Sequence, residues 1–313
     1  MLAAQFAGEP VHGDGAIRVD RYRRRVGGGR PEEGPQMSDD RTADRAAWTR
    51  TIDTLEATFG SLSELGASLD EQQWKSATDL PAWSVQDNLS HLVGIERLLH
   101  GLPATEHRAG ETAHIRNPIG EVNEHEVDVR RSRTGAEVLA EWNETTAQRL
   151  AVLRSADDSY FDAPAMTPTG PGTVADFLHI RVLDCWVHEQ DMRRAVGLPG
   201  HDDGAAAEHT IDRLIRTIPI VVGKRAATPE GATVVIELTG PVHRTIATTV
   251  IDGRAQLRPD VPAVVFATLT MDSNTFVTLA TGRRTAAELA GAVRLSGDVA
   301  HAQRVADALN MMI

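Results

Sequence analysis

The chain has 313 residues, a formal net charge of −12 and a single cysteine, Cys185. That length can bury two respectable cores, while the acidic balance argues against nucleic acid or an anionic membrane surface as a main partner. One cysteine excludes an internal disulfide framework and any cysteine-rich metal site, and it fits a reducing cytoplasm.

Residues 1–40 read as a disordered tail. Arg21-Tyr-Arg-Arg-Arg25, Gly27-Gly-Gly29 and Pro31-Glu-Glu-Gly-Pro35 offer too little apolar surface to offset the entropy of ordering. The basic stretch Arg18 to Arg30 is not followed by an apolar core, so no secretory signal is expected, and Met37 is an alternative start. No run approaches the ~18 consecutive apolar residues that span a bilayer.

Four helical patterns fill residues 41–196 and predict a four-helix bundle. The first runs from about Thr42 to Ser68, with Trp48, Ile52, Leu55, Phe59, Leu62 and Leu65 at steps of three or four. The second opens just after Pro81, where Ser84 and Asp87 form a capping-box pattern, and ends near Gly101. It carries His91 about two turns inside. The third spans about Glu121 to Arg154 with an interruption near Thr134-Gly135. Thr173 and Asp176 cap the fourth, and Gly197-Leu-Pro-Gly200 stops it.

After Gly200 the periodicity changes. One more helix, about Asp203 to Val222, leads into the alternating runs Thr233–Thr239 and Arg244–Ile251 and the hairpin turn Asp252-Gly253. A strand over Ala263 to Thr270, a short strand over Ala292 to Leu295, and helices near Ser273 to Thr281 and Val299 to Met311 complete a compact α+β domain. The expected division is a bundle over 41–200 and a smaller α+β domain over 201–313.

Asp184 and His188 lie four residues apart in the apolar stretch Phe177–His188, so their side chains leave one helix face a turn apart. The spacing alone is not specific: with 12 His and 44 acidic residues, about two His would have an acid four positions earlier by chance. A carboxylate in apolar surroundings needs a positive partner. A divalent metal held with His91 as third donor would serve, since imidazole and carboxylate are ordinary zinc ligands. An ion pair of Asp184 with Arg181 or Arg193 would serve as well. Cys185 points about 100° away from Asp184 around the helix and reads as core filler. Glu96 and Glu189 read as solvated helix charges.

The segments Trp83-Ser-Val-Gln-Asp-Asn-Leu-Ser-His91-Leu and Arg181-Val-Leu-Asp-Cys-Trp-Val-His188-Glu-Gln-Asp191 resemble the mycothiol-dependent maleylpyruvate isomerase family. That family combines a DinB-like metal-binding four-helix bundle with a sterol-carrier-like domain, which Met271–Arg283 and Leu295-Ser-Gly-Asp298 resemble. The resemblance implies a divalent metal, zinc by its donor set, on His91, Asp184 and His188, with Asp184 where the better-known pattern has Glu. The shorter side chain draws the ligand in by about 1.5 Å unless the helices approach. It also implies mycothiol as thiol cosubstrate, adding as a metal-held thiolate to a small electrophile, as isomerase or S-transferase. Arg283 is the expected anchor for an acidic substrate, with a helix-end role as its alternative and Arg294 as a weaker candidate. Asp191 is expected to orient a ligand imidazole, or else to pair with Arg194. Two other classes stay open: a metal-dependent hydrolase, and a non-catalytic carrier of a lipid or small hydrophobe.

Overall fold

The computed structural model describes residues 35–110 and 113–311, with side chains from residue 44 onward. Most of the expected tail, residues 1–40, therefore lies outside the described residues. Helix α1 (Pro35–Ala67) nevertheless starts ahead of the Thr42 expected from periodicity. Residues 36–41 offer little apolar pattern for the sequence to show, while proline is well suited to a first helical position.

After α1 come α2 (Glu71–Trp74), α3 (Val85–Leu99), α4 (Pro118–Asp128), α5 (Gly135–Ser155) and α6 (Asp158–Phe161). A hairpin of β1 (Pro164–Thr167) and β2 (Gly170–Thr173) then feeds α7 (Val174–Val196). The capping boxes at Ser84/Asp87 and Thr173/Asp176 form as the sequence predicts, and Thr134 with Glu137 restarts the interrupted third helix as α5. Gly197 ends α7 in a left-handed conformation, φ 67°, which glycine adopts without a Cβ penalty. Helix α1 packs on α5 and α7, and α3 packs on α5 and α7, which closes a four-helix bundle. Its core includes Leu55, Phe59, Leu62, Leu89, Leu92, Trp142 and Trp186, all buried. None of the helices in the described residues is long and apolar enough to cross a membrane.

Trp74 shows how tightly the bundle end is fitted. A Cβ on Gly135 would lie 2.1 Å from Trp74 Cγ, and one on Gly66 would lie 3.1 Å from the same indole. Gly135→Ala is therefore expected to lower the free energy of unfolding by about 1–3 kcal/mol, as overpacking does. Alanine's better helix propensity, worth about 1 kcal/mol, is the smaller effect. Gly60→Ala, with nothing within 4 Å of the added carbon, is the control. Urea unfolding of the two variants should move in opposite directions.

The helix expected over Asp203 to Val222 is instead α8 (Gly204–Ile215) followed by a π-helical turn, Ile220–Arg225. Pro219 stands between them and has no N–H to continue the ladder. Five strands follow: β3 (Thr233–Thr239), β4 (Arg244–Ile251), β5 (Arg254–Arg258), β6 (Ala267–Asp272) and β7 (Val293–Gly297), in the order β5-β4-β3-β6-β7. Only the β3/β6 pair is parallel. Strand β6 starts later than expected, because Val264 is 83% exposed in the preceding loop. Helices α9 (Ser273–Ala280) and α10 (Val299–Asp307) cover the sheet. Helix α8 packs on both α7 and α9 and so joins the helical and sheet parts.

Candidate metal centre

Helices α3 and α7 lie side by side in the bundle and bring His91 and the Asp184/His188 pair together. One donor atom from each of the three lies within 4.8 Å of the others. His91 Nε2 is 3.3 Å from Asp184 Oδ2, and His188 Nε2 is 3.5 Å from Asp184 Oδ1. A tetrahedral zinc with bonds of 2.0–2.1 Å spaces its ligand atoms by about 3.3–3.4 Å. Both separations are near that value, each to a different Asp184 oxygen, and one donor atom from each residue falls within reach of a common ion, so the donor set fits such an ion in chemistry. His91 and His188 are buried, while the Asp184 side chain is 23% exposed, leaving access from one side.

The protonation states suit ligation. Burial lowers the His91 pKa, and the charges of His188 and Arg181 lower it further, against the pull of Asp184, which favours a neutral imidazole. Burial alone would raise the Asp184 pKa. The Arg181 charge and the contacts with His188 and His91 outweigh it and hold this carboxyl well below the usual carboxylate range.

His188 is oriented by Asn88, a residue that sequence reasoning did not single out. His188 Nδ1 lies 2.7 Å from Asn88 Oδ1, and Asn88 Nδ2 donates to Ser84 O at 2.9 Å. That second bond fixes the amide so that its oxygen faces His188. Nδ1 must then carry the proton, leaving the Nε2 lone pair aimed at Asp184. The ring of Trp83 lies 5.3 Å from the His91 ring and 5.9 Å from the His188 ring, and its Nε1 donates to buried Glu124 at 2.9 Å. His91 Nδ1, by contrast, is buried without a hydrogen bond. Asn88→Ala is expected to weaken metal binding roughly 10–100-fold, as loss of an outer partner of a ligating imidazole does. Competition against a chelating dye measures it.

Other expected roles are redistributed. Asp191 lies 3.6 Å from His188 Nδ1, too far for a hydrogen bond. Its oxygens instead accept from Arg283 Nε and Nη2, the latter at 2.7 Å, and from Arg194. Arg283, expected as a substrate anchor, is thereby engaged, with a side chain 7% exposed. Arg294 sits on exposed β7. Arg194 and Arg284 both bind Asp79, which lines a groove of about 370 Å³ together with Lys75, Trp83, Ser84 and Asp87.

Glu96 and Glu189, read from sequence as solvated, are both fully buried. Glu96 accepts from Arg181 Nε at 2.8 Å, and Glu189 from Ser61, Arg193 and His201. Arg181 also binds Asp184, so the ion pair that the sequence offered as an alternative to a metal is present, whereas Arg193 pairs with Glu189. Burial pushes the Cys185 thiol well above its usual pKa, and the residue has no exposed surface.

The comparisons with known proteins agree with this architecture. The family model described as the mycothiol maleylpyruvate isomerase N-terminal domain matches residues 55–193, and that described as the MDMPI C-terminal domain matches residues 208–304. A crystal structure of the mycothiol-dependent maleylpyruvate isomerase is similar in fold, with a TM-score of 0.50 and 15% identity over 80% of this chain and 92% of that one. An uncharacterized protein of Mycobacterium tuberculosis, found in two strains, is 26% identical over 152 residues, covering 46% of this chain and 55% of that protein. The chain thus spans about half the length of the curated relatives it matches.

Proposed function

Because this chain belongs to the mycothiol-dependent maleylpyruvate isomerase family, we propose that it is a mycothiol-using enzyme whose His91, Asp184 and His188 hold a divalent metal, zinc by its donor set. The observation that carries the reading is the convergence of two imidazoles and one carboxylate within 4.8 Å of one another, in a family named for a thiol. Three protein ligands leave a coordination position open, as in catalytic rather than structural zinc sites. A metal bound there supplies a Lewis acid that keeps a thiol as its thiolate at neutral pH.

The chain's own residues prepare the rest. Arg181 keeps Asp184 ionised, Asn88 sets the His188 tautomer, and Trp83 packs against the two imidazoles. Cys185 is excluded as the nucleophile by burial, so the thiol comes from outside. Its sulfur forms a bond to one carbon of a conjugated cis double bond, and the π electrons move onto the conjugated acyl group. Rotation about the new single bond follows. The same electrons then re-form the double bond as trans and expel the thiolate, with no net gain of protons or electrons. An electrophile that retains the sulfur gives the S-transferase outcome instead.

Arg283 serves in this reading as the partner of Asp191, tying the segment after α9 to α7, rather than as a substrate anchor. The test compares turnover of unsaturated acids by the zinc-loaded protein with and without mycothiol. Turnover is expected only with it. Equal rates would eliminate the thiol mechanism and leave metal-dependent hydrolysis.

A further inference from the structure

The two oxygens of Asp184 are treated unequally. Oδ2 accepts a hydrogen bond from Arg181 Nη1 and lies 3.3 Å from His91 Nε2. Oδ1 faces His188 Nε2 at 3.5 Å. Arg181 has little room to retreat from Oδ2. Its Nε donates to Glu96 Oε1 at 2.8 Å, its Nη2 lies 3.3 Å from Cys185 Sγ, and the residue is 2% exposed. Glu96 is itself fully buried, with Arg149 Nε 3.5 Å from its other oxygen.

We propose that Arg181 is a positioning residue that restricts Asp184 to a one-oxygen grip on the metal and so keeps a coordination position free for the thiol. The inference rests on the metal reading above. A carboxylate that gripped an ion through both oxygens would bring the dication up against a guanidinium that is pinned in place, and like charges at that range repel strongly in a poorly solvated site. It would also raise the protein donors from three to four, so that water or a thiol could enter only as a crowded fifth ligand. Arg181 thereby makes an Asp, with its short reach, behave as a single-oxygen ligand.

Cobalt(II) added to the metal-free protein tests this, because four-coordinate cobalt absorbs visible light much more strongly than the five-coordinate ion. The wild type is expected to give the intense four-coordinate spectrum. Arg181→Met should give a several-fold weaker, five-coordinate spectrum as Asp184 closes both oxygens on the ion. Arg181→Lys retains a positive partner for buried Glu96 but lacks the fork that spans Glu96 and Asp184, and it should show the same loss of intensity. A merely structural role for Arg181 would lower the melting temperature without changing the spectrum. Variants as intense as the wild type, or a wild type that is already five-coordinate, would overturn the assignment. If the folded wild type takes up no cobalt at all, the metal reading itself fails and the role of Arg181 fails with it.

Discussion

His188→Ala is expected to abolish both metal binding and mycothiol-dependent turnover while leaving the fold intact. His188 contributes a donor atom directly, so its loss should exceed the roughly 10–100-fold cost of removing an outer partner. The imidazole also makes few structural contacts that alanine would forfeit. Its Nδ1 bonds only Asn88 at hydrogen-bond distance, and Asn88 keeps its bond to Ser84 O. Metal content by elemental analysis should fall from near one ion per chain to background, with an unchanged circular dichroism spectrum. Cys185→Ala is the companion variant. Because Cys185 is buried and its thiol pKa is raised, most activity should survive its removal. A His188→Ala protein that still binds zinc tightly would show that the ion is held elsewhere.

The largest stability effect is expected at Glu96. Its carboxylate lies fully buried between Arg181 and Arg149, and Arg149 in turn donates to Tyr160 Oη at 2.7 Å. Glu96→Ala would leave two guanidinium groups buried with one anion fewer, and breaking such a pair costs about 3–5 kcal/mol. Glu96→Gln keeps the shape and an acceptor oxygen but removes the charge, so it should fall between the two. Denaturant midpoints of the three proteins give the order directly. Indistinguishable midpoints would mean that water reaches this network.

The two positions differ in how visible they are in the sequence. Asp184 and His188 are legible as a pair because their relation is local to one helix, whereas His91, 93 residues from Asp184, joins them only through the family resemblance. An i, i+4 spacing fixes that pair, and capping boxes at Ser84 and Thr173 set how deep each donor lies in its helix. Glu96 is different. Its partner Arg181 is 85 residues away, and no periodicity distinguishes a carboxylate facing a buried arginine from one facing water. Asn88 is concealed for the same reason, since it contacts His188 only once α3 and α7 have docked. Asp191 and Arg283 are 92 residues apart, so no local pattern marks them as partners. The β1–β2 hairpin is not legible because Pro164-Ala-Met-Thr and Gly170-Pro-Gly-Thr lack the β-branched alternation of β3 and β4. The helix expected over Asp203 to Val222 runs through Pro219, and its end at Ile215 follows from the proline's missing N–H.

The strand order β5-β4-β3-β6-β7 carries a consequence for how the molecule is made. Strand β3 finds one neighbour, β4, through a short hairpin, but its parallel partner β6 only after the chain has returned from the far edge, with Val234 opposite Ala267. Closing such a loop costs entropy before any contact repays it, so the sheet is expected to condense late. The helical bundle closes over longer separations still, α1 packing on α7, but it precedes the sheet in the chain, as do all three donor residues. On a ribosome adding about 5–20 residues per second, with early segments folding first, the donors can gather while β3 to β7 are still being synthesised. Arg283 is made afterwards and then docks on Asp191, one turn beyond His188 on α7.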